Sequence, residues 1–168
     1  PQQIRDGWIK HIKAEEENYL WVSNQKALEL MLEGILPPET GHPDNNENYM
    51  MIDAQLTTEI FGFFAPARPD IALKMAHLPI RTTAAQDAAW ISEYYVIMYA
   101  LASYVDDKLP VKNQIIWMAD QARKSLNIIV DMYNATQTED PADAANAELS
   151  AESTAIGNLA AKARAQGY

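Results

Sequence analysis

Asp53, Gln55, Thr58 and Glu59 fall within seven positions of a stretch otherwise rich in large apolar residues, "NYMMIDAQLTTEIFGFFAPARPDIALKMA" from Asn48 to Ala76. Two carboxylates, an amide and a hydroxyl so close together offer hydrogen-bonding chemistry. Glu59 can accept from ligand hydroxyls, and Gln55 can both donate and accept. Read as a helix, the stretch sorts its side chains by direction. Ile52, Leu56, Ile60 and Phe63 step 4-4-3 along one side, which is expected to face the core. Gln55, Thr58, Glu59 and Gly62 lie on another side, where Gly62 would let a backbone or a ligand come close. The same spacing also fits a plain solvent-facing helix side, because exposed polar faces are the rule on surface helices.

Other chemistry finds little material. None of the histidines His11, His42 and His77 stands in a metal-binding helical pattern such as H-E-x-x-H. Asp106-Asp107 precedes Lys108 and reads as a solvated turn. There is no strained G-x-S-x-G elbow for a nucleophilic serine. Six scattered glycines make no phosphate-cradling loop. The absence of cysteine removes disulfides, zinc-thiolate sites and thiol nucleophiles together.

The elements that must position these residues are helical. The first helix is expected over 4–12, with Ile4, Trp8 and Ile12 on one face. The second is expected over 16–33, on the stripe Tyr19, Val22, Leu28, Met31 and Leu32, with Gly34 as its stop. "ILPPETGHPDNNENY", from Ile35 to Tyr49, is a loop long for a compact domain, and long ordered loops are more often functional than short ones. A third helix spans 51–64, and Pro66 and Pro69 separate it from a fourth over 70–78, whose C-terminal dipole suits His77. The fifth, over 83–105, carries two apolar faces and is predicted to be the central, most buried helix. Pro110 opens a sixth, and 126–133 forms a seventh. After Thr136 the chain turns alanine-rich, with Leu149, Ile156 and Leu159 as its aliphatic anchors, which predicts a peripheral helix or a mobile tail over 137–168. The expected class is all-α, with a helical core segment over 1–136.

The 168 residues carry a net charge of −10. An acidic surface repels phosphate backbones and anionic lipid, so neither nucleic acid nor a membrane is an expected partner. No apolar run approaches the ~20 residues that span a bilayer, and a cytoplasmic location is expected.

The run "GHPDNNENYMMIDAQLTTEIFGFFAPARPDIALKMAHLPIRTTA", Gly41 to Ala84, resembles the ADP-ribosylglycohydrolase family in its large, J1-crystallin-related branch. "ENYLWVSNQKALELMLEGILPPETG" upstream and "EYYVIMYALASYVDDKLP" and "WMADQARKSL" downstream are similar to the same branch. The resemblance extends over about 4–133 and rests most on "AQLTTEIFG" followed by a Pro-x-x-Pro turn, in which Ala67 stands where the branch often has Gly. It implies an all-α orthogonal bundle and hydrolysis of an N- or O-glycosidic bond to ADP-ribose. It also implies a Mg²⁺ pair that orients the ribose hydroxyls and a water. The family's metal ligands come from a Thr-Asp-Asp-Thr motif and an Asp-x-Asp motif, and neither is present in this chain. Metal binding is therefore assigned to no residue here, and no catalytic residue is assigned. The chain is expected to be the central segment of such an enzyme, inactive alone, with flanking segments of the same domain and an ADP-ribose-containing substrate as partners. Asp53, Gln55, Thr58 and Glu59 are expected to face the cleft that holds ADP-ribose. The alternative is a non-catalytic, crystallin-like or binding module of the same fold.

Overall fold

A computed structural model describes residues 1–13, 16 and 19–136, with side chains described up to residue 125. The tail expectation for 137–168 lies outside the described residues. Among the described residues seven α-helices account for the architecture: α1 (Gln2–His11), α2 (Val22–Leu32), α3 (Asp53–Thr58), α4 (Ile60–Phe64), α5 (Pro69–Arg81), α6 (Gln86–Leu101) and α7 (Val111–Thr136). Short 3-10 turns at Glu39–Gly41 and Ala102–Tyr104 complete it. No strand occurs among the described residues. The class is all-α.

Helix α6 is the hub, packing against α3, α4, α5 and α7. It is the helix predicted to be central, although its span is shorter than 83–105 and one face of it is the most deeply buried. That face is formed by Ala89, Ser92, Glu93, Val96, Ile97, Ala100 and Leu101. Tyr95 and Tyr104 are exposed. The core follows from this choice of small residues. One cluster, shared by α3, α4, α5 and α6, holds Ala54, Ala65, Ala72, Ala76, Ile80, Ala84, Ala89, Val96 and Ala100. With alanine at seven of those nine positions, the helix axes can approach closely and still pack without voids. A second cluster, where α5 and α6 meet α7, has Leu73, Ile97, Leu101 and Ala122 at its centre and Trp90, Tyr94, Met98 and Trp117 around it. The Tyr94 hydroxyl there donates to the carbonyl of Ala119 at 2.9 Å, so its polar tip is satisfied.

Several boundaries differ from expectation for physical reasons. The second helix starts at Val22 rather than near 16, and Tyr19, Val22 and Leu32 of its expected stripe are exposed while Leu28 and Met31 are buried. Gly34 does end it, in the left-handed region at φ 96°, where a side chain would be strained. The fourth helix runs on through Pro79 to Arg81, which puts His77 a turn before the end and not at the terminal dipole. The sixth and seventh helices are one, α7. The third is interrupted at Glu59, between α3 and α4.

The long 35–49 connection is an ordered strap. The Thr40 hydroxyl donates to the Thr82 carbonyl at 2.8 Å, and the buried Asn46 amide donates to the carbonyls of Ser23 (3.1 Å) and Thr40 (3.0 Å). Gly41 presses its backbone on the end of α5: a Cβ there would meet Arg81 O and would lie 2.9 Å from Ala84 N. These bonds explain why so polar a segment can lie partly buried.

Candidate functional site

The α3–α4 segment carries two stripes with the same 4-4-3 step. One is large: Ile52, Leu56, Ile60, Phe63. The other is small: Ala54, Thr58, Gly62, Ala65. The expectation that the large stripe faces the core is corrected by the structure. Ala54, Thr58, Gly62 and Ala65 are buried, whereas Ile52, Leu56, Ile60, Phe63 and Phe64 stand 57%, 42%, 48%, 58% and 62% exposed. The reason is the closeness of α6. A Cβ on Gly62 would lie 2.5 Å from the Tyr99 Cβ and 2.6 Å from the Val96 carbonyl oxygen, so only the small stripe can enter that contact.

The four candidate residues separate accordingly. Asp53 is buried and turned toward α2, where its Oδ2 accepts from the Ser23 hydroxyl at 2.7 Å, the Ser23 amide at 3.0 Å and the Asn24 amide at 3.4 Å. Those amides belong to the first turn of α2, whose N–H groups have no partner within the helix, so Asp53 caps a helix thirty residues away in sequence. Thr58 is also buried, its hydroxyl donating to the Ala54 carbonyl at 2.6 Å. Gln55 and Glu59 are half-buried, one turn apart, at the border between the packed and the exposed sides. The structure thus keeps Gln55 and Glu59 together at the surface and withdraws Asp53 and Thr58 into the packing.

Around Glu59 the border is aromatic. The Phe63 ring lies 4.9 Å from the Tyr99 ring, tilted at 44°. Burial raises the Tyr99 pKa, and a hydrogen bond to the Glu59 carboxylate together with its charge raises it further, with a smaller push from Tyr95. Each cause disfavours the tyrosinate. A carboxylate, a neighbouring tyrosine hydroxyl and two ring faces can recognise a hydroxylated or a cationic group. Of these two rings, Phe63 is expected from its spacing on the core-facing side and stands exposed here instead. The i, i+4 pairing of Glu59 with Phe63 was a signal within reach.

The other polar constellation is structural. Glu93, fully buried on α6, has its Oε1 2.9 Å from His77 Nδ1 and accepts from the Arg81 guanidinium at the same oxygen. This ties α5 to α6 through a charged pair that burial makes intolerant of losing one member. His42 accepts from the Asp44 amide at 3.2 Å on the exposed strap, and Asp106 accepts from the Lys108 amide at 3.0 Å in an exposed turn. Among the described residues no group of three or more acids and histidines is placed to hold a metal ion. None of the described helices is long and apolar enough to cross a membrane. An open groove of about 340 Å³ lies between α1 and α2, floored by Ile9, Ile12, Leu28 and Leu32.

These features define an all-α bundle organised on one central helix, with an anionic aromatic border beside an exposed apolar row. No family model, no curated protein and no solved structure matches the chain.

Proposed function

We propose that this chain is the central helical part of a Mg²⁺-dependent hydrolase resembling the ADP-ribosylglycohydrolases, which cleaves the glycosidic bond between ADP-ribose and a protein or small-molecule acceptor. The observation that carries the reading is the ungapped run from Gly41 to Ala84, with "AQLTTEIFG" and its following Pro-x-x-Pro turn. The position of Ala67 supports it. Ala67 adopts φ 64°, the left-handed conformation that favours glycine, at the point where the resembling branch often carries Gly. The described residues do not fit a Mg²⁺ pair, so the ions would be held by residues outside them, and no step is routed through the metal here. In this reading Gln55 and Glu59 border the ADP-ribose cleft and accept from, or donate to, ligand hydroxyls. Asp53 and Thr58 support that border from within. A cytoplasmic setting goes with this reading.

The test is hydrolysis of an ADP-ribosylated peptide with Mg²⁺. A longer polypeptide carrying both aspartate motifs is expected to release ADP-ribose, and Glu59→Gln in it should weaken turnover with little change in melting temperature. The 168-residue chain alone is expected to release none. Metal-dependent release by this chain alone would refute the placement of the metal ligands.

A second reading, a binding module without catalysis, is favoured by one observation: the apolar row Ile52, Leu56, Ile60, Phe63 and Phe64 at the surface.

A further inference from the structure

We infer that the α3–α4 face is a docking surface for an arginine-bearing amphipathic segment of another protein, with the guanidinium seated on Glu59, Phe63 and Tyr99. The inference rests on the binding reading and is independent of the hydrolase reading.

Three observations lead to this occupant. The first is area. At about 200 Å² per large side chain, the five exposed residues of the row present roughly 500 Å² of apolar surface. That is at the upper end for one patch on a monomer, at ~300–600 Å². It is below the ~800 Å² per partner of a stable protein–protein interface. The row therefore suits one helical segment with anchors at i, i+4 and i+7 better than a second copy of this chain.

The second is charge. At the surface the stretch 42–67 carries Asp44, Glu47 and Glu59 and no lysine or arginine, and the Arg68 that follows is paired with Asp70. The whole chain carries −10. Two copies would repel one another, whereas a basic segment would be drawn in.

The third is the chemistry at the edge of the row. Glu59 lies one turn from Phe63 and one turn from Leu56, so a ligand lying on the row passes its carboxylate. Glu59 is half-buried, and a carboxylate offers about four acceptor positions. The Phe63 ring, more than half exposed, stands against Tyr99 beside it. A planar guanidinium can stack on such a ring while it forks onto the carboxylate. An ammonium has only the point charge to offer, which is why arginine is specified over lysine.

The probe is a fluorescein-labelled helical peptide with leucine at i, i+4 and i+7 and a single arginine, titrated with the full chain by fluorescence anisotropy. Its twin carries citrulline in place of arginine, which keeps the shape and removes the charge. The arginine peptide is expected to bind roughly tenfold more tightly than the citrulline one, the scale of one charge-assisted contact. Glu59→Gln should erase that difference without weakening the citrulline peptide. Leu56→Glu should abolish binding of both while the melting temperature holds. Equal affinity for the two peptides would overturn the arginine contact and leave an apolar docking face. No binding of either up to about 1 mM would overturn the docking surface itself. A stable homodimer in sedimentation that protects Leu56 and Phe63 would overturn it in favour of a second copy.

Discussion

Asp53 Oδ2 lies 2.7 Å from the Ser23 hydroxyl and 3.0 Å from the Ser23 amide, a contact that closes a thirty-residue gap in sequence. One carboxylate fixes the start of α2 and opens α3. Removing it leaves the first-turn amides of α2 without an acceptor in a buried place. Asp53→Ala is expected to cost about 1–3 kcal/mol, read as a fall of several degrees in melting temperature. An unchanged melting temperature would mean that the amides find water and that the cap is dispensable.

Gly62 is expected to tolerate no side chain. In an exposed helix, Gly→Ala gains up to about 1 kcal/mol. Here the added Cβ would sit 2.5 Å from the Tyr99 Cβ and 2.6 Å from a backbone oxygen. Overpacking of this kind costs about 1–3 kcal/mol, so Gly62→Ala should lower the urea midpoint. A raised midpoint would show that α4 stands further from α6 than described.

Ala67 offers the opposite change. Its φ of 64° strains any side chain, and its amide is held by the Ala100 carbonyl at 2.7 Å, so the conformation cannot relax. Left-handed geometry costs an L-residue roughly 1–2 kcal/mol, and glycine loses part of that gain to its freer unfolded state. Ala67→Gly should raise the melting temperature by about 1–3 °C. A fall would count against the turn as described.

Glu93 should behave as half of a pair. Losing one member of a buried ion pair costs about 3–5 kcal/mol, so Glu93→Leu or Arg81→Met alone should be severely destabilising. The double change Arg81→Met with Glu93→Leu should recover most of the loss, because nothing charged is then left buried. Urea denaturation of the four proteins in a double-mutant cycle reads the coupling. Simple additivity would show that the two side chains do not act together.

Tyr99 carries the pH dependence. Its folded pKa is raised above the ordinary 10.0 by burial and then by Glu59. The stability that comes from its neutral form is therefore fully present below the unfolded pKa. It is lost as pH rises through the higher folded value. Glu59→Gln should bring the Tyr99 titration down toward the ordinary value, though burial keeps it above. The difference in tyrosinate absorbance between each protein and its Tyr99→Phe partner isolates this one ring. A titration unmoved by Glu59→Gln would separate the two side chains and remove the anionic part of the docking site.

The sequence by itself determined that the chain is helical, where Gly34 stops α2 and that a single helix stands at the centre. Periodicity and breakers act locally, over one or two turns, and those features depend on little else. It also marked the stretch around Asp53 to Glu59 as chemically unusual. What it left undecided is which side of that stretch looks inward. Ile52, Leu56, Ile60 and Phe63 have the same 4-4-3 step as Ala54, Thr58, Gly62 and Ala65, so spacing cannot choose between them. Hydrophobicity favours the large stripe, and that choice is wrong for this fold. The decision belongs to α6, whose backbone at Val96 and Ala100 comes so near that only small residues fit. The same approach turns Glu59 to the border beside Tyr99 and leaves the large side chains at the surface. Distances between helices far apart in sequence are a tertiary property, and it was this closeness that separated Asp53 and Thr58 from Gln55 and Glu59.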